Sequence, residues 1–259
     1  MSIANEIQRL QSAKADIKSA IEQKGVTVGD GTIDTYAEKI GEISGGSGIE
    51  LERGLKTAAF TNLNIFGKKE VELNFDNITS LSNLFYINAL ENQNTIVEKL
   101  IINCPNQITS IMNMFYCNGT NWQDRTLKHI TFNFDTQKCT AFSNAFNGAI
   151  ALEIIDGQPL DCSSVTNASY FNPFVNTPKL IDCRFVSNSI KVNLNMSKSP
   201  DLSTDTIQSI FDGLATVDTA QTLTLNNNLK ILQSQVDSAN AKGWTVAGGK
   251  VVSEEEYYA

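Results

Sequence analysis

A single histidine, His129, and the absence of any C-x-x-C pair remove much of the chemistry that a 259-residue chain could carry. Zinc sites draw on clustered Cys and His, and one histidine cannot furnish such a set. Ser-His or Cys-His catalysis would rest wholly on His129. That residue sits in L127-K-H-I130, at the entrance of an apolar strand pattern, where a strand-flanking role is the simpler reading. Positive charge is also in deficit, with 20 Lys and Arg against 28 Asp and Glu and a formal charge of −8. Nucleic acid is therefore not an expected partner, because sequence-independent binding needs clustered cations that displace counterions from phosphates. No phosphate-binding glycine loop is present, and no cofactor is expected.

Long apolar runs are missing as well. No segment approaches the roughly 20 residues of a membrane span, so membrane insertion is not expected. The start, MSIANEIQRLQSAKADIK, mixes charge with aliphatics and lacks the apolar stretch of a secretion signal. The expectation is a product made in the cytoplasm that reaches the outside only within an assembly or by lysis. The five cysteines, Cys104, Cys117, Cys139, Cys162 and Cys183, are odd in number and are expected as buried free thiols. Four N-x-[ST] triplets, at Asn77, Asn118, Asn167 and Asn195, are expected by chance in so Asn-rich a chain.

What is present is a two-part layout. Apolar residues Ile3, Ile7, Leu10, Ile17 and Ile21 step by four and three, with Lys14 at the one polar position of a heptad seam. The spacing predicts a helix from Ile3 to Lys24, about 33 Å long, closed by Gly25. A helix this short gains most of its stability by burying its seam, against sister copies, another protein, or its own chain's core. A second amphipathic segment carries Ile33, Tyr36, Ala37, Ile40 and Ile43, so residues 1–44 are expected as a helical hairpin or short coiled coil. Gly45, Gly46, Ser47 and Gly48 lie in a linker over 45–49.

Beyond it a period appears. T79-S-L-S-N-L-F85 recurs as T109-S-I-M-N-M-F115 and T140-A-F-S-N-A-F146, with a degenerate fourth copy ending at S169-Y-F171. Alternating strands precede the blocks: V71-E-L-N-F75, L100-I-I-N-C104, I130-T-F-N-F134 and I181-D-C-R-F185. K191 to M196 and L223 to N226 are further strands of this type. Such self-similarity means stacked units that share one core. Val71, Leu73 and Phe75 should point inward and Glu72 and Asn74 outward, while Phe85, Phe115 and Phe146 anchor the opposite wall. D201 to T216 predicts a capped helix with Leu202, Ile207, Ile210, Phe211 and Leu214 inside. A Gly243-Trp244 turn is expected to close the solenoid at residue 247, leaving 248–259 as a frayed acidic tail.

The S-x-x-N-x-F blocks with N133-F-D-T136, and above all I111-MNMFYCNG-T120, resemble the BspA-type bacterial leucine-rich repeats over roughly residues 50–247. ANEIQRLQSAKADIKSAIEQKGVTVGDGTIDTYAEKI resembles the N-terminal helical segment of phage tail-fibre or baseplate-associated proteins. The resemblances imply an α/β fold, a leucine-rich-repeat-like solenoid with an N-terminal helical hairpin or short coiled coil. They further imply a virion protein whose residues 1–44 join other virion proteins, as a homotrimer, and whose solenoid faces a host cell-surface glycan or protein.

No catalytic residue is expected. The attachment seam is Ile3, Ile7, Leu10, Lys14, Ile17 and Ile21. The candidate ligand face is the outward row of Glu72, Asn74, Asn103, Thr131, Asn133, Asp182, Arg184, Asn193 and Asn195, a short polar surface rich in amides, which could equally serve only to keep the sheet soluble. Two other readings remain open: a purely structural baseplate or head decoration protein, and a carbohydrate-active enzyme that brings two carboxylates together in a cleft.

Overall fold

The computed structural model describes residues 3–22, 27–29, 32, 35–36, 39, 68–75, 78–85, 87–88, 96–118 and 126–258. The linker over 45–49 and most of the second amphipathic segment, including Ile33, Ala37, Ile40 and Ile43, lie outside the described residues. The chain divides into two compact units, Met1–Ile49 and Glu50–Ala259.

In the first unit, helix α1 spans Ile3–Glu22. Its Ala, Gln, Lys and Glu content favours helix, and Glu6–Arg9 and Lys18–Glu22 pair one turn apart at 2.6 and 3.9 Å. Ile21 is buried together with Val28 and Tyr36.

The second unit is a β-solenoid built on parallel pairing. Strands β1 (Glu70–Asn74), β3 (Lys99–Asn103), β5 (His129–Asn133) and β6 (Ile154–Gly157) form one sheet in that order. Val71 faces Leu100, Leu100 faces Ile130 and Ile130 faces Ile155, so each partner lies one coil further along the chain. Val71, Leu73, Leu100, Ile102, Ile130, Phe132 and Ile155 are buried, and the residues between them point outward, as the two-residue period of a strand requires.

The repeat blocks stack as the second wall. Amides of Leu81, Asn83 and Phe85 donate to the carbonyls of Ser110, Met112 and Met114, and the next block repeats this onto Ala141, Ser143 and Ala145. Short strands β2 (Ile87–Asn88) and β4 (Cys117–Asn118) pair in the same way. Phe85, Phe115, Phe146 and Phe174 stack at centroid distances of 5.0, 6.3 and 5.4 Å, and Phe132 meets Phe146 across the core at 6.0 Å.

The fourth rung differs from the pattern expected of S169-Y-F171. Ala168–Tyr170 is a short 3₁₀ turn. The rung aligns as Asn172-Pro173-Phe174, because Asn144 and Phe146 donate to the carbonyls of Asn172 and Pro173. Phe174, not Phe171, continues the stack.

A second parallel sheet holds β7 (Leu194–Met196), β8 (Gln221–Leu225) and β10 (Trp244–Ala247), and β9 (Lys230–Leu232) pairs with β11 (Lys250–Val252). Helices α2 (Thr204–Gly213), α3 (Gln233–Ala241) and α4 (Glu254–Tyr258) accompany them. Helix α2 starts where Ser203 caps the Thr206 amide. It buries Ile207, Ile210 and Phe211, and Leu202 and Leu214 are buried on either side of it, as expected.

Three sequence expectations need correction. I181-D-C-R-F185 is not a strand of the sheet. It meets its predecessor through the isolated bridges Ile154↔Asp182 and Leu160↔Phe185 rather than a continuous ladder, and on its other side α2 replaces the next strand. The Cys183 amide donates to Thr206 Oγ1 at 3.1 Å and the Phe185 amide to Ser209 Oγ at 2.9 Å. Trp244 lies in β10 rather than in a turn, with Nε1 donating to Ala215 O at 2.8 Å. Of the stretch expected to fray, 248–259, the described residues 248–258 are docked through β11 and α4. Tyr257 is buried and its hydroxyl donates to Thr204 O at 3.2 Å while accepting from Gln235 Nε2 at 3.1 Å.

Candidate functional site

The outward face of the first sheet is a lattice set by register. At the strand entrances, Lys69 pairs with Glu98 at 2.6 Å and Glu70 with Lys99 at 3.4 Å. Lys69, Glu98, Lys128 and Glu153 thus alternate in sign down one row. Beside Lys69, the exposed Glu98 carboxyl is held below the ordinary carboxylate range, first by the hydrogen bond from the Lys69 ammonium.

Further along the strands stand Glu72, Asn74, Asn103, Thr131 and Asn133, which the structure brings together on this face. Asn133 Nδ2 donates to Asn103 Oδ1 at 2.7 Å, and Asn103 Nδ2 donates to Asn74 Oδ1 at 2.6 Å and to Glu72 Oε1. Each amide fixes the orientation of the next, so donors and acceptors are held at the spacing of the strands, about 4.8 Å.

Asp156 in β6 joins this face. Its carboxylate lies 2.7 Å from His129 Nε2. Burial pushes its pKa up, but hydrogen bonds from Thr131 and His129 and the attraction of His129 and Lys99 outweigh that and leave it below the ordinary value. Thr131 Oγ1 lies 3.5 Å from the same Nε2. A proton relay needs its two partners on opposite ring nitrogens, so this trio is not wired as one.

After Gly157 the sheet opens. Ile155 and Leu160 both donate to the 182–184 segment, at Asp182 O and Arg184 O. The four residues between them, Asp156 to Pro159, therefore arch away from the 182–184 segment, while Asp156 and Gly157 stay paired with β5 and the Gln158 amide donates to Phe132 O at 2.7 Å. Gly157 permits this with φ +86, and a Cβ there would lie 2.2 Å from Phe132 O. The arch borders an open groove of about 380 Å³ lined by Asp156, Gln158, Asp182, Arg184 and Asp205, among others. Asp182 is engaged within it, since its Oδ1 accepts from Ser203 Oγ and from Thr206 Oγ1 at 3.3 Å. The carboxylate so sits on the first turn of α2, where helix amides favour negative charge.

Asn193 and Asn195 do not belong to this face. Asn193 Oδ1 accepts from the Thr222 amide at 2.7 Å, and Asn195 Oδ1 accepts from Ser197 N at 3.0 Å. They serve the second sheet, so the expected single ligand face is two separate surfaces. Gln158 and Asp205 were missed because a loop and a helix start carry no strand period, and Asp156 was not placed on this face because β6, Ile154–Gly157, is too short to show one.

In the first unit, Ile7, Leu10 and Ile17 are exposed while Ile21 is buried. Lys14 Nζ stands 5.9 Å from the Tyr36 ring centroid. The side chain of Ile3 lies outside the described residues. Cys104, Cys139, Cys162 and Cys183 are buried free thiols. Among the described residues no group of His, Cys, Asp and Glu could hold a metal ion, and no helix is long and apolar enough to cross a membrane. No family model, curated protein or solved structure matches the chain.

Proposed function

We propose that this chain is a non-enzymatic component of a bacteriophage or phage-like particle, a tail-fibre or baseplate-associated protein that contacts the host. Its solenoid, of the leucine-rich-repeat-like kind that the blocks resemble, presents a hydrogen-bonding face to a cell-surface glycan. Residues 1–44 join it, as a homotrimer, to other virion proteins. The observation that carries the reading is the Asn74–Asn103–Asn133 row beside Glu72 and Thr131. Such a row offers hydroxyl-rich ligands a regular set of amide donors and acceptors without a deep pocket. It is supported by the aliphatic row left open on α1.

The test is capture of the full chain by host cell walls and by immobilised cell-wall polysaccharides, compared with Asn103→Ala/Asn133→Ala. Both residues lie outward, so the variant should keep the fold and lose capture. Equal capture by the two proteins would move the contact off this face.

A purely structural particle protein is the second reading. It is favoured by the same amides bonding to one another, which leaves fewer groups for a ligand. Failure of the intact chain to bind any host surface, with normal incorporation into particles, would decide for it.

A further inference from the structure

We infer that the groove beyond Gly157 holds one unit of an uncharged saccharide, with Gln158 and Arg184 donating to its hydroxyls and Asp182 and Asp205 accepting from them. The inference rests on the glycan reading of the first sheet and deepens it, naming the place where the saccharide is gripped and its charge class.

The groove lies where the amide row ends. Asn103 stands beside Asn133, and Phe132 beside Gly157. Gln158, the residue after Gly157, therefore follows Asn133 in the line that Asn74 begins. Ile155 and Leu160 bond to the 182–184 segment on either side of the opening. The space so formed is about 380 Å³, the scale of a small-molecule site rather than of a protein loop. Ile154 and Pro159 line it too and offer apolar surface to the C–H face of a sugar ring.

Its walls hold unspent groups of both kinds. Among the described residues the side chains of Gln158, Arg184 and Asp205 have no hydrogen-bond or ion-pair partner. The other two carboxylates are engaged. Asp156 lies 2.7 Å from His129 Nε2, and Asp182 Oδ1 accepts from Ser203 and Thr206. Those bonds fix the Asp182 carboxylate and leave Oδ2 to the groove.

The balance selects the charge of the ligand. One free guanidinium stands against one free carboxylate, held apart in the same groove. An anionic sugar would bond Arg184 and meet the Asp205 carboxylate, and an ammonium would bond Asp205 and meet the guanidinium. A hydroxyl donates to a carboxylate and accepts from a guanidinium or an amide. Neighbouring hydroxyls on a neutral ring therefore satisfy both groups and leave neither buried without a partner.

Saturation-transfer NMR of the full chain tests this with glucose, galactose, mannose, rhamnose and N-acetylglucosamine, and with glucuronate and glucosamine as charged counterparts. Each is titrated to about 10 mM, a range that reaches the millimolar affinities of small ligands. At least one neutral sugar is expected to bind more tightly than either charged one. Arg184→Ala should weaken it by about tenfold or more, through loss of a charge-assisted hydrogen bond, and Gln158→Ala by less. Both side chains are exposed, and unchanged melting of the solenoid checks that the variants fold. Absence of binding by every neutral sugar, tighter binding of glucuronate or glucosamine, or binding that survives Arg184→Ala overturns the proposal. Asn103→Ala/Asn133→Ala separates the groove from the wider reading, since it should keep the single sugar while losing polysaccharide capture. Capture lost in that variant with no single sugar bound sinks the groove and leaves the face standing. A sugar held in the groove of a chain that captures no host surface leaves the groove standing and sinks the host reading.

Discussion

Asn113 donates its side-chain amide to Asn83 Oδ1 at 3.3 Å, and both residues hold a left-handed backbone, with φ of 55° and 58°. Asn144, at φ 55°, continues the ladder by donating to Asn113 Oδ1 at 3.3 Å. The repeat thus asks two things of one position, a conformation that most residues resist and an amide that bonds up and down the stack.

Two substitutions at Asn113 separate those demands. Glycine adopts the left-handed region freely, while alanine pays about 1–2 kcal/mol for it. Both lose the ladder bonds, worth about 1 kcal/mol each. Asn113→Ala is expected to destabilise by about 3 kcal/mol and Asn113→Gly by less, measured by urea unfolding. An alanine variant as stable as the glycine one would show that backbone conformation does not select asparagine here.

The C-terminal helix is expected to act as a closure. Tyr257→Phe keeps the ring but leaves Gln235 Nε2 and Thr204 O short of a partner, at a cost of about 1–3 kcal/mol. Deleting 254–259 should cost more and raise amide exchange first in α3. Unchanged exchange after the deletion would return the tail to the frayed state that its composition suggested.

Stability should fall steeply in alkali. Burial pushes the Cys139 thiol up to about 12, and burial likewise raises Cys162 and Cys183. Above about pH 8.5 the unfolded thiols lose their protons while the folded ones keep theirs. The folded state then binds more protons and loses stability as pH rises, by up to about 1.4 kcal/mol per pH unit for each thiol. Replacing Cys139 and Cys183 with alanine should flatten unfolding free energy between pH 9 and 10.5, whatever its effect at pH 7. At the acid end, Asp156 contributes stability above its unfolded pKa near 3.9 that is lost as pH falls through its lower folded value.

The charge rows should be visible in salt. Lys99 lies beside Glu70 at 3.4 Å, and Lys99→Glu would set like charges against each other across the strands. The pairs are exposed, so the loss is expected at about 1 kcal/mol or less. Most of it should vanish at 1 M salt, where screening acts within about 3 Å. A salt-independent loss would mean that Lys99 acts through packing.

Much of the solenoid was legible in the chain itself. Val71, Leu73 and Phe75 alternate with Glu72 and Asn74, and inward and outward faces followed from that pattern. Asn83, Asn113 and Asn144 recur at a period that only stacked coils explain, and their left-handed turns account for the residue type. The candidate site was legible only where it lies on those strands. Asp156 sits in β6, a four-residue strand too short to show a period, and Gln158 in the turn just beyond it. Asp182, with the outward residues by alternation, proved to be the carboxylate on the first turn of α2.

The sequence by itself therefore determined the repeating coil, because period and alternation are local properties that each residue expresses wherever its neighbours stack. Tertiary structure alone decided where the sheet stops, which way Lys14 turns and whether the tail docks. Each of those depends on which distant group arrives to complete a hydrogen bond or cover a ring. The Thr206 and Ser209 hydroxyls take the amides of Cys183 and Phe185 in place of a strand, the Tyr36 ring takes the Lys14 ammonium, and Gln235 with Thr204 takes the hydroxyl of Tyr257.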